Sequence, residues 1–174
     1  MQSREAASGL SGATMVQSRN RLPGNTSLVM PRLVCEDAAA EMEFCIQTFA
    51  AEELNRRPGP DGKVAHGLLK ISGEMLMIEG VWPTLPSRAP MPDASSPVVI
   101  FVYVADVDAT VDRAVANGAR VLVPLQDQFW GDRIAWFIDP AGHVWTVASR
   151  IEDTTAEERA ARWDKILKEG QEEA

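Results

Sequence analysis

From Met30 onward the spacing of apolar positions changes in a fixed order. "MPRLVCE" is a short run with strand character, and Asp37 follows where a carboxylate can accept from the free N–H groups of a first helical turn. Met42, Cys45, Ile46 and Phe49 then fall at i, i+3, i+4 and i+7, the single stripe of an amphipathic helix. "AEELNRR", "VAHGLLKI" and "EMLMIE" read as three more strands. "RPGPDGK" separates the first two, with Pro and Gly setting the turn backbone, and Ser72-Gly73 separates the last two. The first half is therefore predicted to run β-α-β-β-β.

The second half repeats that order with little sequence identity, which is the signature of a structural repeat. "VVIFVYV" is a strand rich in β-branched residues. Asp106 or Asp108 caps a helix with Val107, Val111, Ala114 and Val115 on one face, and Asn117-Gly118 closes it in a left-handed cap. "ARVLVPL" is a strand, and "RIAWFI" with "HVWTVAS" forms a hairpin around Asp139-Pro-Ala-Gly142. Between the halves lie five prolines, Pro83 to Pro97, which exclude ladder and helix alike and mark a linker or flap.

Two ends flank this plan. Residues 1–29 are rich in Ser, Gly, Asn and Gln, lack the apolar core of a secretory signal, and read as a mobile tail. "TTAEERAARWDKILKEG" reads as a terminal helix, with Thr154 and Glu157 as a capping box. Its face of Ala156, Ala160, Trp163 and Leu167 suits packing on its own domain or on a partner subunit. The expected organisation is a tail over 1–29, a domain over 30–153, and a helix over 154–174. Within the domain, module one spans 30–80, the linker 81–97 and module two 98–153.

Composition narrows the function classes. A length of 174 residues suffices for one domain, or for two small modules sharing one core. The formal charge of −8 argues against a nucleic-acid partner, which needs clustered Lys and Arg. No apolar run approaches the roughly 18–20 residues of a membrane span. Cys35 and Cys45 form no disulfide framework or zinc pattern; they read as buried reduced thiols, which fits a cytoplasmic protein.

The paired βαβββ order, the Glu36-Asp37-Ala38 start of the first helix, "FWGDR" and "DPAGHVW" resemble the vicinal oxygen chelate superfamily. That superfamily includes glyoxalase I, bleomycin-resistance proteins, fosfomycin-modifying enzymes and extradiol dioxygenases. "PGPDGKVAHGLLKISGEMLMI" and "QFWGDRIAWFIDPAGHVWTVASRIED" are similar to its PhnB-like branch. The resemblance covers about Met30 to Asp153. It implies an α+β fold in which two modules curl into a half-open mixed β-barrel around a divalent ion. It also implies dimerisation, which covers the open strand edges.

The ligands that the resemblance implies fall near Met30, near Val99 and at Thr146, and none is a strong donor. The expectation is therefore a protein without metal or other cofactor. His143 is placed with Trp145 and Val147, away from the cavity side that Val144, Thr146 and Ala148 face. His66 could be a structural histidine, a ligand contact or a general base, with Glu79 the carboxylate able to share its site. His66, Glu79, Phe101, Trp130 and Thr146 are the candidate ligand-binding residues; no catalytic residue is assigned. Trp82 in the proline-rich linker could lie over a pocket as a lid, one of Trp136 and Phe137 faces the cavity, and Asp132 with Arg133 suggests an ion pair or turn brace. Net acidity and several tryptophans suit an amphipathic, cationic ligand. The expected function is binding of a small organic molecule in the cavity of a homodimer, without nucleic-acid or membrane partners. The alternatives are a metal-dependent lyase, isomerase or dioxygenase of the same superfamily, and a dimeric scaffold with a vestigial pocket.

Overall fold

A computed structural model describes residues 24, 26–91 and 96–172. Most of the expected tail, and residues 92–95 of the expected linker, lie outside the described residues. The chain runs β1 (Arg32–Cys35), α1 (Ala38–Phe49), β2 (Glu52–Pro58), β3 (Val64–Ile71) and β4 (Glu74–Gly80). It continues as β5 (Val99–Tyr103), α2 (Val107–Ala116), β6 (Arg120–Asp127), β7 (Asp132–Ile138), β8 (Val144–Arg150) and α3 (Ala156–Glu172). Two four-stranded mixed sheets result, ordered β1-β4-β3-β2 and β5-β8-β7-β6. In each, the first strand pairs parallel to the last and the rest is antiparallel. The two-module α+β architecture is as expected, and the sheets do not close into a barrel.

Local signals in the sequence set these elements. Asp37 accepts from Ala40 N at 3.0 Å and Asp106 from Ala109 N at 2.9 Å, so each first helix begins at an Asp cap. Ser72 and Gly73 both hold positive φ, 50° and 93°, the two-residue turn that matches hairpin twist. Gly118, at φ 94°, follows α2 as its left-handed cap. The terminal helix starts one residue later than expected. Thr155 and Glu158 form the capping box, while the Thr154 hydroxyl donates to the Trp130 carbonyl.

The helices are the middle layer. Met42 of α1 lies so close over Gly67 of β3 that any Cβ there would meet its sulfur. On the other side, Phe49 packs against Trp145 with ring centroids 4.9 Å apart, and Phe44 against Phe137 at 6.2 Å. Leu33, Leu69 and Ile78 of the first sheet share one core with Phe137, Trp145 and Val147 of the second. The two sheets thus present their helix-side faces to α1 and α2, and their other faces point outward, away from each other. α3 stands apart. Its Trp163 meets Phe129 at 5.3 Å, but Trp163, Ile166 and Leu167 all remain exposed.

A buried polar cluster joins the modules. Cys45 Sγ donates to Glu41 Oε1 at 3.4 Å, and Cys35 Sγ lies 3.5 Å from His143 Nε2. Asp139 accepts from His143 N at 2.8 Å and from Trp145 Nε1 at 2.7 Å, fixing the β7–β8 turn. His143 therefore serves this junction, as expected for a residue on the Trp145 face. Burial, with the Asp139 charge next, pushes the Glu41 carboxyl up to about 9. Burial, and then the Glu41 charge, also push both thiols up, so they stay protonated and unbonded to each other.

Candidate functional site

The outer face of the first sheet is built by alternation. Gly67, Leu69, Leu76 and Ile78 turn to the helices, so His66, Leu68, Met77 and Glu79 turn outward. Register places His66 opposite Glu79 and Arg57 opposite His66. His66 Nδ1 meets Glu79 Oε1 at 3.2 Å, and Arg32 Nη1 meets the other oxygen of Glu79 at 3.5 Å. Both carboxylate oxygens are therefore engaged. The pair of His66 with Glu79 comes directly from the β3–β4 register, which the two-residue turn at Ser72-Gly73 dictates.

The outer face of the second sheet is aromatic. Phe101, Thr146 and Trp136 stand side by side across β5, β8 and β7. Phe101 is 50 % exposed and Trp136 36 %, whereas Thr146 between them is 2 % exposed. Thr146 thus lies on the outer face between two flanking rings. Phe137, the neighbour of Trp136, is wholly buried in the core, which settles the alternation left open by sequence.

Trp130 sits at the turn before β7 rather than in that row. Its Nε1 donates to Asp132 Oδ2 at 2.8 Å, which also accepts from Tyr103 Oη at 2.7 Å. Arg150 Nε donates to Asp132 Oδ1 at 2.5 Å. Burial pushes the Asp132 carboxyl up, but the three donors outweigh it and hold the group below the usual carboxylate range. Of the two roles expected for Asp132 and Arg133, an ion pair with each other is not formed, while Asp132 does brace the turn through Trp130. Arg133 points the other way, to Asp108 at 3.0 Å and Asp127 at 2.8 Å, as period-2 alternation requires of adjacent strand residues. Tyr103 packs on Phe101 at 5.2 Å, so Trp130 reaches the aromatic row only through Asp132 and Tyr103.

The structure thus brings His66 to Glu79, and Phe101 to Thr146, but sets the two pairs on opposite outer faces of one chain. Sequence reading missed Arg57 and the Tyr103–Asp132 bond. Strand alternation carried the signal for Arg57; nothing local carried the other. A cavity of about 650 Å³ holds none of the five candidate residues. It lies on the helix side of the first sheet, between Ala38, Ala65 and Gly80, with Trp82 at its wall.

The residues present do not fit a divalent ion of the kind the fold suggests. β1 offers Arg32 and Val34 on the outward face, β5 offers Val99, Phe101 and Tyr103, and β8 offers Val144, Thr146 and Ala148. Beside His66, among the described residues, the strong donor is Glu79, and it is already held. Stable sites for such ions use three or more protein ligands. Among the described residues no three His, Cys, Asp or Glu side chains gather for one.

Two βαβββ modules back to back on a shared helix layer define a class of protein. Residues 27–147 match the Glyoxalase/Bleomycin resistance protein/Dioxygenase superfamily, and the chain belongs to it. Uncharacterized protein Rv0887c of Mycobacterium tuberculosis is 40% identical over 131 residues, covering 74% of this chain and 77% of the relative. Among solved structures, TioX from Micromonospora sp. ML1 is 26% identical at a TM-score of 0.58, covering 72% of this chain and 99% of that one. The fosfomycin resistance protein FosX from Listeria monocytogenes, determined with Mn(II) and sulfate, has a TM-score of 0.55 at 21% identity. It covers 79% of this chain and 97% of its own, and that likeness is one of fold.

Proposed function

We propose that the chain is a cytoplasmic homodimer that binds a small organic molecule over the outer sheet faces without a metal. One observation carries this reading. Where a superfamily enzyme would need a carboxylate on β8, this chain has Thr146, framed by two exposed aromatic rings. Phe101, Tyr103 and Trp136 form an apolar surface that the chain's own core leaves uncovered. Because the two outer faces point apart, the first sheet of one copy must meet the second sheet of another to enclose a cavity. His66 and Glu79 would then come from one subunit, and Phe101 and Thr146 from its partner, with Trp130 bracing the rim.

A second reading, a metal-dependent lyase, isomerase or dioxygenase, has one point in its favour. The Glu79-held imidazole of His66 resembles the way a carboxylate orients a metal-binding or proton-transferring histidine. Elemental analysis of protein purified without chelator separates the two. The proposal expects well under one Mn, Fe, Ni or Zn per chain, together with a sedimentation mass of twice 19.0 kDa. Stoichiometric metal, or a mass near 19.0 kDa at micromolar concentration, would overturn it.

A further inference from the structure

We infer that the ligand of this cavity is an organic anion, whose carboxylate, phosphonate or sulfonate group seats against Arg57 beside His66. The inference rests on the reading that the outer sheet faces form the cavity, and adds to it the charge of what binds there. It runs against the cationic ligand that the net charge of −8 suggests. Net charge describes the whole chain; recognition depends on the face that is presented.

Adjacent arginines on β2 show the difference. Arg56 turns to the helix side, where Glu43 holds it at 2.7 Å and Glu53 at 2.8 Å. Arg57 turns to the outer face opposite His66, and among the described residues no carboxylate lies within 4.0 Å of it. The nearest carboxylate in register, Glu79, has one oxygen on His66 and the other on Arg32. His66 spends Nδ1 on that bond, and its Nε2 has no partner among the described residues. The Arg57 guanidinium fork thus stands beside the His66 ring with no carboxylate of its own, a geometry that suits an oxyanion.

The surroundings extend the argument. Lys70 lies further along β3 on the same face, and Glu52 opposes it in register without forming an ion pair. Arg32, Arg57 and Lys70 therefore face Glu79 and Glu52, and Glu79 is already committed. Between the cations, half-buried Leu68, Met75 and Met77 give an apolar floor. A ligand with an apolar body and one anionic group fits this face, its body lying on the methionines and against the aromatic row of the partner. An amphipathic cation would meet like charge at Arg57.

Two fluorescent probes with nearly the same aromatic body test this. 8-Anilino-1-naphthalenesulfonate carries the anion and N-phenyl-1-naphthylamine does not. Titrated into the full chain, the sulfonate should bind more tightly than the neutral amine. Arg57→Gln should weaken the sulfonate by about tenfold and leave the amine within about twofold, as expected for loss of one charge-assisted hydrogen bond. Trp136→Ala should weaken both. If both probes bind the wild type and Arg57→Gln equally, the cavity stands and the anion inference is overturned; Arg57 then only guards the edge strand β2. If the neutral amine fails to bind the wild type, the cavity reading itself fails. An unchanged urea midpoint for Arg57→Gln shows that the comparison is made on folded protein.

Discussion

Replacing Glu41 with glutamine should stabilise the chain, and increasingly so as pH rises. Glu41 is 1 % exposed, one oxygen accepts from Cys45, and the other has no partner among the described residues. A proton on that orphan oxygen resolves the arrangement, because it can turn to the neighbouring Asp139 carboxyl. Burial is the main cause that pushes Glu41 from 4.5 up to about 9. The folded state therefore holds a proton that the unfolded chain releases. The stability this group contributes is complete below 4.5 and is lost as pH rises toward 9. At pH 7 the loss is about 3 kcal/mol, from roughly 1.4 kcal/mol per pH unit above the unfolded value. Glutamine keeps the shape and a donor without that cost, but leaves one buried N–H unpaired, at about 1 kcal/mol. The expected net gain is about 2 kcal/mol at pH 7, turning to a loss of about 1 kcal/mol at pH 4.5, and roughly 2–3 kcal/mol more at pH 9 than at pH 7. Urea unfolding followed by tryptophan fluorescence at the three pH values measures it. A variant that differs from wild type by the same amount at every pH, or is weaker at pH 9, would refute the buried-proton argument.

Asp132→Asn should cost about 2–4 kcal/mol, because Tyr103, Trp130 and Arg150 lose a buried charged acceptor. The donors hold Asp132 below the ordinary carboxylate range, so its stabilisation is present above about pH 4 and lost as pH falls through the folded value. The acid limb of the wild-type stability curve should accordingly flatten in the variant, and an unchanged limb would contradict the assignment. Gly67→Ala should lower stability by about 1–3 kcal/mol, since its Cβ must displace the buried Met42 sulfur, and a melting temperature equal to wild type would show that α1 yields freely.

Much of the fold was legible because its signals are local. Asp37, Asp106, Ser72-Gly73 and Asn117-Gly118 each mark a boundary whatever lies around them, and strand alternation sorted Trp136 from Phe137 once the register was known. The misses have tertiary causes. An acidic residue in a first helical turn, as Glu41 is, suggests a solvated complement to the helix dipole. Its burial follows only from α1 being enclosed by both sheets. Thr154 and Thr155 are equally good caps by sequence, and the choice falls to Thr155 because the Trp130 carbonyl takes the hydroxyl of Thr154. Of the candidate site, His66 and Glu79 could be paired by hairpin register, but Arg57 needed the bulged β2–β3 register, and the outward direction of the two faces needed the whole helix layer.

The central claim is binding without metal, and it is tested most directly by the affinity of chelator-stripped protein for N-phenyl-1-naphthylamine, measured before and after adding Mn, Ni or Zn. The account predicts saturable binding by the stripped protein, weakened by Trp136→Ala and unchanged by any of the three ions. Binding that appears only after metal is restored would contradict it.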